Sequence, residues 1–305
     1  MTNNHKYYYR AFGWSIESSL EFPELLPVAQ PANTDLCIRF GEVPLSLENA
    51  VKPGINTFTK PGEFLLLINE HLRLQAKYGR DILIDRNGDI EDDEIRVYIL
   101  ASVFGAIAHQ KGLLPLHASA IEYQGKAYLF SGLTGSGKSS IAAGFHKKGY
   151  QVYAEDLSAI LVEEGCEPLL NFGSVRIKLW DDTMTQLGLD TSNCPRIRKN
   201  LEKFSFPIQR PAQAPLIPIE RLYIITPEHT SQTQFKELNK KDRFRYSLAH
   251  TFRQRLIAGL GVEVAHFKMC EQLSRSISSF ELVRPIENVR VMDTVSALEQ
   301  HIKNG

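Results

Sequence analysis

The chain has 305 residues, 43% of them hydrophobic, 10% aromatic and 23% charged. That is enough apolar material for one elaborated domain or two coupled lobes, and it excludes a disordered tail. Lys plus Arg and Asp plus Glu each number 35, and the resulting formal charge of zero gives no electrostatic reason to expect nucleic acid or an anionic membrane as partner.

The four cysteines, Cys37, Cys166, Cys194 and Cys270, are scattered without zinc-like spacing and read as free thiols in a reducing compartment. No run approaches the ~18 apolar residues of a membrane span. The opening MTNNHKYYYRAFGW lacks the basic-then-apolar pattern of a secretory leader, so the cytoplasm is the expected location.

Residues 6–90 are predicted β-rich, with strands over 7–16, 35–40, 64–68 and 71–78 separated by Pro and Gly. The last two form a hairpin turning at Asn69 and Glu70. Segment 91–112 starts with acids and carries Ile95, Tyr98, Ile99, Val103 and Ile107 at helical spacing, which predicts an amphipathic helix that Gly112 ends. Strands over 118–123 and 126–131 turn at Gln124 and Gly125, a helix follows over 138–148, and a strand over 151–154 runs into Glu155 and Asp156. Further strands are expected over 159–163, 174–180 and 222–225, and helices over 243–260 and 265–276, with a Pro-rich irregular stretch at 207–218. The chain divides into a β-rich region (1–90), a linking helix (91–112) and an α/β domain (113–305) with C-terminal helices. No internal repeat interrupts it.

The most informative string is GLTGSGKS, which is Gly132, Leu133, Thr134, Gly135, Ser136, Gly137, Lys138 and Ser139, with Ser140 following. It matches the phosphate-loop pattern completely, between an apolar strand and a helix as that motif requires. Glycine torsions let successive amides face one anion, and the helix start adds partial positive charge. Lys138 supplies a full charge to the phosphate oxygens, and the Ser139 hydroxyl suits the shell of Mg²⁺. Glu155 and Asp156 end the next strand, beside that loop if the strands run the same way. One of them would hold the metal and the other would accept a proton from an attacking alcohol; a solvated turn is the alternative.

Weaker candidates surround this motif. His117 opens the strand before the loop strand and lies near the phosphates if the two pair; otherwise it is a packed histidine. Lys178 and Lys203 are cations that reach the site or stay on exposed strands. His250 and Arg253 share a helix face, read as solvated rather than as a phosphate patch, and Trp180 reads as core.

The stretch LLPLHASAIEYQGKAYLFSGLTGSGKSSIAAGFHKKGYQVYAEDLSAI resembles the catalytic core of HPr kinase/phosphorylase and its relatives. The resemblance rests on His117, the loop from Gly132 to Ser139, and the acid pair, where Glu155 stands in place of that family's usual Asp. It implies a mixed-sheet P-loop core related to phosphoenolpyruvate carboxykinase. The strings YRAFGWSIESSLEFPEL, DLCIRFGEVP and SISSFELVRP resemble the related kinases encoded beside lasso-peptide genes. What this implies is transfer of the ATP γ-phosphoryl group to a Ser hydroxyl of a precursor peptide or small protein. ATP and Mg²⁺ would be cofactors, Ser139 and Asp156 the metal positions, Glu155 the first choice of base, and Lys138 and His117 the supports of the phosphoryl oxygens. No nucleic acid or membrane partner is expected, and a homo-oligomer stays open. The alternatives are a bifunctional kinase/phosphorylase, a non-catalytic nucleotide-binding regulator and a small-molecule kinase.

Overall fold

The computed structural model describes residues 5–190, 192, 194–197, 201–209, 211, 214–286 and 290–304. The β-rich region forms one nine-stranded sheet. Its spatial order is Leu26–Pro27, Tyr7–Ala11, Trp14–Ser18, Leu36–Phe40, Asp81–Arg86, Leu72–Lys77, Glu63–Leu67, Thr57–Lys60 and Val51–Gly54. Alternation sets its faces: in Asp81–Arg86, Ile82 and Ile84 are buried while Asp81, Leu83 and Asp85, which alternate with them, are only partly covered. The turn at Asn69 forms as expected, because its Oδ1 accepts from the amides of His71 and Leu72 at 2.8 and 3.2 Å.

The stretch predicted as one strand over 7–16 is instead a hairpin, Tyr7–Ala11 against Trp14–Ser18. It turns on Phe12 and Gly13, both at positive φ (54° and 78°), which a Phe-Gly pair does not advertise as Asn-Gly would. Strands Val51–Gly54, Thr57–Lys60 and Asp81–Arg86 were not anticipated; the first contains Pro53 and Gly54, which read as punctuation. Both edge strands of the sheet are short and contain proline, Pro27 at one edge and Pro53 at the other.

The linking helix packs on this sheet. Its buried residues Ile95, Ile99, Val103 and Ile107 recur at every fourth position, a spacing longer than the 3.6-residue α period. The wider π turn Ile99–Val103, between the α segments Asp92–Tyr98 and Phe104–Gln110, absorbs the mismatch and keeps the stripe on one face. Phe104 anchors it, with Phe12 and Trp14 each at 5.7 Å between ring centroids. The helix ends at Gly112 (φ 71°) with paired bonds from Gly112 to His109 and Leu113 to Ala108.

The second sheet is mixed, as expected. Lys126–Gly132 runs parallel to Ile217–Glu228, which runs parallel to Ser278–Pro285. Ala118–Tyr123 is antiparallel to Lys126–Gly132 on one side and to Gln151–Ala154 on the other. Helices Lys138–Lys147 and Val291–Lys303 pack together against this sheet; a Cβ on Gly144 would meet Val295 Cγ2 at 2.6 Å, so glycine permits the close crossing. The helix expected over 243–260 is broken into Lys240–Ala249, a 3₁₀ turn Gln254–Leu256 and Ile257–Leu260. The break has a cause: the backbone between them bonds to the neighbouring strand instead, His117 N–H to His250 O and Phe252 N–H to Pro115 O, both 2.8 Å. All four cysteines are free. Among the described residues, no helix is long and apolar enough to cross a membrane.

His109 ties the linking helix to this break, its Nε2 lying 3.0 Å from Phe252 O. Burial pushes its pKa down to about 4, so the neutral ring stabilises the fold above the ordinary value of 6.5, and that contribution is lost as pH falls toward 4. Acidification from pH 7 to pH 5 should cost about 2 kcal/mol through this group. Urea midpoints should show a smaller drop in His109→Gln, whose amide can still donate to Phe252 O.

Candidate functional site

Strand direction assembles the site. Because Ala118–Tyr123 lies between Lys126–Gly132 and Gln151–Ala154 and opposes both, those two run the same way and end at one edge of the sheet. His117 precedes the start of the strand between them, so the loop, the histidine and the acids meet there. The Ser131 hydroxyl donates to His117 O at 2.8 Å and locks this register.

The loop Gly132 to Ser139 turns on three glycines at positive φ, Gly132 (151°), Gly135 (84°) and Gly137 (107°). At Gly132 a Cβ would meet Ser136 Oγ at 2.7 Å and Ile225 O at 2.8 Å, whereas at Gly135 it would meet open space. Lys138 folds back over the loop, its Nζ donating to Gly132 O (2.8 Å) and Leu133 O (3.0 Å), and burial lowers its pKa against the pull of Asp156 and Glu155. The first helical bond runs from Ile141 N–H to Gly137 O at 2.9 Å, so the amides of Lys138, Ser139 and Ser140 come before any helical carbonyl they could reach. Among the described residues, the Ser136 hydroxyl is buried without a hydrogen-bond partner. Leu133 at the tip is exposed, as are Thr134 and Gly135. Ser140 lies 3.2 Å from the Thr183 hydroxyl.

The two acids are neighbours in sequence but point to different partners. Asp156 sits at φ 67° in a three-residue turn closed by Leu157 N–H to Glu155 O at 2.8 Å, a strained geometry of the kind concentrated at functional sites. Glu155 is buried and accepts from Ser139 Oγ at 2.8 Å. Asp156 meets His117 Nδ1 at 3.1 Å through Oδ1 and Lys178 Nζ at 3.6 Å through Oδ2.

These environments drive the carboxyl groups apart. Burial raises the Glu155 pKa more than Lys178 lowers it. At Asp156 burial acts in the same sense, but the His117 hydrogen bond and the Lys178 charge outweigh it and hold the carboxyl well below its ordinary range. Lys178 loses to burial and gains more from Asp156 and Glu155, and so stays protonated. Paired acids split in this way are a mark of divided roles in catalysis.

Two clefts open here. One, of about 620 Å³, is lined by the loop, Lys138, Ser139, Glu155, Lys178, Trp180 and Arg284 among others; the second, of about 580 Å³, lies toward the N-terminal sheet. They share His117, Thr134 and Asp156.

The sequence expectations fare unevenly. Lys178 and Lys203 both line the first cleft. Trp180 is not core: it is 48% exposed, with Lys203 Nζ 5.5 Å from its ring centre. In the ribbon Arg176–Trp180 it alternates with buried Ile177 and Leu179, so it shares the open face with Lys178. His250 and Arg253 do not share a helix face, since the helix ends at Ala249, but both line the second cleft.

Arg284 was missed. Its Nε donates to Ser136 O at 2.8 Å; its strand runs parallel to Ile217–Glu228 and so ends at the same end of the sheet, a pairing that the sequence does not signal. Among the described residues, no group of three His, Cys, Asp or Glu is placed to hold a metal; Ser139 and Glu155 form a pair of adjacent oxygen donors.

No protein-family model and no curated protein matches the chain. Among solved structures it is similar to the HPr(Ser) kinase/phosphatase from Coxiella burnetii, at 10% identity and a TM-score of 0.32, over 62% of this chain and 88% of that one.

The glycines make a direct prediction. Gly135→Ala should cost about 1–2 kcal/mol, the left-handed backbone penalty alone, and Gly132→Ala on the order of 3 kcal/mol, because strain from the two contacts adds to it. Urea denaturation of the two variants side by side would check the difference.

Proposed function

We propose that the chain is an ATP- and Mg²⁺-dependent kinase that phosphorylates a hydroxyl, that of a Ser in a peptide acceptor. The observation that carries this reading is the junction of the two clefts: a complete phosphate loop opens one, and Asp156, ionised and held by His117 and Lys178, faces both. The loop fits a polyphosphate, since its glycines leave open space at Gly135, its helix amides are free to donate, and a lysine lies across it. Mg²⁺ fits as well, because it needs only one or two protein oxygens when phosphates and water complete its shell. When bound, Mg²⁺-ATP supplies the phosphoryl group and the metal offsets its charge.

The roles of this chain's residues follow from their partners. Ser139 and Glu155, already in contact, are the pair that would hold the metal. Asp156 orients the acceptor hydroxyl and takes its proton, and His117 and Lys178 keep that carboxylate aimed and charged. Lys138 leaves its loop carbonyls to neutralise the transferred group, and Arg284 braces the loop through Ser136 O. This exchanges the two acids relative to the first expectation from sequence, in which Glu155 was the base and Asp156 a metal position. The Ser139–Glu155 contact, and the position of Asp156 in both clefts where Glu155 lines only the first, favour the exchange. The choice of a peptide, and of a lasso-type precursor among peptides, rests on the sequence resemblance alone.

Intact mass spectrometry of a Ser-containing precursor peptide incubated with the chain, ATP and Mg²⁺ tests the activity. A phosphate increment is expected, reduced at least ~10²-fold in Lys138→Ala and ~10²- to 10⁴-fold in Asp156→Asn. Glu155→Gln should instead raise the Mg²⁺ concentration for half-maximal rate by about tenfold or more. The opposite pattern, with the Mg²⁺ requirement moving in Asp156→Asn, would restore the original assignment.

A further inference from the structure

The second cleft has a definite chemistry. Its walls are Pro53, Gly54 and Thr57 from the sheet edge, Ser102 from the π turn, and the backbone break at residues 249–256. Its charged lining is one-sided. Arg253 and Arg255 are its arginines and Asp156 its single acid. His250, whose pKa burial pushes down to about 4 with Lys138 and His117 adding to the effect, is neutral at physiological pH and is no rival cation. Among the described residues, neither arginine has a carboxylate within ion-pair distance, whereas Arg39, Arg73, Arg86, Arg96, Arg196, Arg243, Arg245 and Arg275 each do.

Arg253 is built into place rather than left on a mobile surface. Its backbone is left-handed at φ 54°, a conformation that costs a non-glycine residue energy and persists only where its surroundings impose it. The surroundings are on both sides. Phe252 N–H donates to Pro115 O at 2.8 Å and Phe252 O meets His109 Nε2 at 3.0 Å; Leu256 N–H returns to Arg253 O at 2.9 Å. The Thr251 hydroxyl bonds Ser247 O at 2.9 Å and His266 Nε2 at 2.8 Å. Gly105 opens the room: a Cβ there would meet Arg253 Cγ and Phe252 Cδ1 at 3.0 Å. The guanidinium stands 5.3 Å from the Phe252 ring centre, and burial lowers its pKa while Asp156 raises it. A preorganised guanidinium that is exposed in the cleft and, among the described residues, has no carboxylate in ion-pair distance is a receptor for a carboxylate. Beside the opening, Leu133 (78% exposed) and Ile55 (96% exposed) present apolar side chains of the sort that a polypeptide covers.

We infer that this cleft is the acceptor subsite and that Arg253, with Arg255, selects a peptide bearing acidic residues beside its Ser. The inference rests on the reading of Asp156 as the group that faces the acceptor hydroxyl. Binding is by side chains, because the sheet edge beside the cleft carries Pro53 and offers little backbone for strand addition.

The test uses two fluorescent peptide pools centred on Ser, one with Asp and Glu at the flanking positions and one with Asn and Gln. Each is titrated by anisotropy against the full chain with Mg²⁺ and a non-hydrolysable ATP analogue. The acidic pool should bind at least tenfold more tightly, and Arg253→Gln should remove most of that preference. Arg253→Gly should remove it too while melting at or above the wild-type temperature, since glycine relieves the φ strain; this separates lost recognition from lost fold. Equal binding of the pools, binding of neither, or a preference that survives both substitutions overturns the inference. Phosphate transfer to the same pools, read in parallel by mass, separates the two readings. Acidic preference without transfer sinks the kinase and leaves the cleft, whereas equal transfer to both pools sinks the cleft and leaves the kinase.

Discussion

The site depends on one strand bonded on both edges. Ala118–Tyr123 pairs with the phosphate-loop strand through Ala118 to Ser131 and with the acid strand through Ala120 to Ala154. Those ladders place the loop and the acids two strands apart, about 10 Å from strand spacing alone, with His117 in the gap between them. Side chains then only have to close short distances. A shift of one residue in either ladder would turn His117 or Glu155 to the opposite face, so the buried apolar faces that fix register also fix chemistry.

The electrostatics follow from that placement. Two carboxylates from adjacent residues would repel if they shared one environment. The tight turn at Asp156 separates them, giving Glu155 a hydroxyl partner and leaving Asp156 with a histidine and a lysine. Lys178, part-buried in the cleft wall, is held charged by both acids at once. The three groups therefore form one unit, and replacing any of them changes the protonation of the others.

Much of this was legible in the sequence because the signals were local. The loop motif, the Gln124-Gly125 hairpin and the strand leading to Glu155 are each specified within about ten residues by glycine placement and apolar runs. What was not legible arises from distant partners. The helix expected over 243–260 breaks because Pro115 and His117 claim its backbone, and no periodicity within the segment records that competition. Trp180 was assigned to the core by its residue type, whereas strand alternation with Ile177 and Leu179 puts it outside. Arg284 reaches the loop only through a parallel pairing that sequence spacing does not announce. The separate partners of Glu155 and Asp156 turn on a single positive φ, which an Asp tolerates without announcing it.

Among the described residues the N-terminal sheet is open, and each of its two outer strands has four residues or fewer and contains a proline. A chain with nine strands in one sheet is otherwise a template for copies of itself, above all while it emerges from synthesis with its partner domain unmade. Pro27 and Pro53 each remove a donor where an incoming strand would need one, so self-addition stops at the first rung from either side. Strand addition at these two margins is therefore disfavoured, which leaves the faces of this sheet, and not its edges, for contact with another chain.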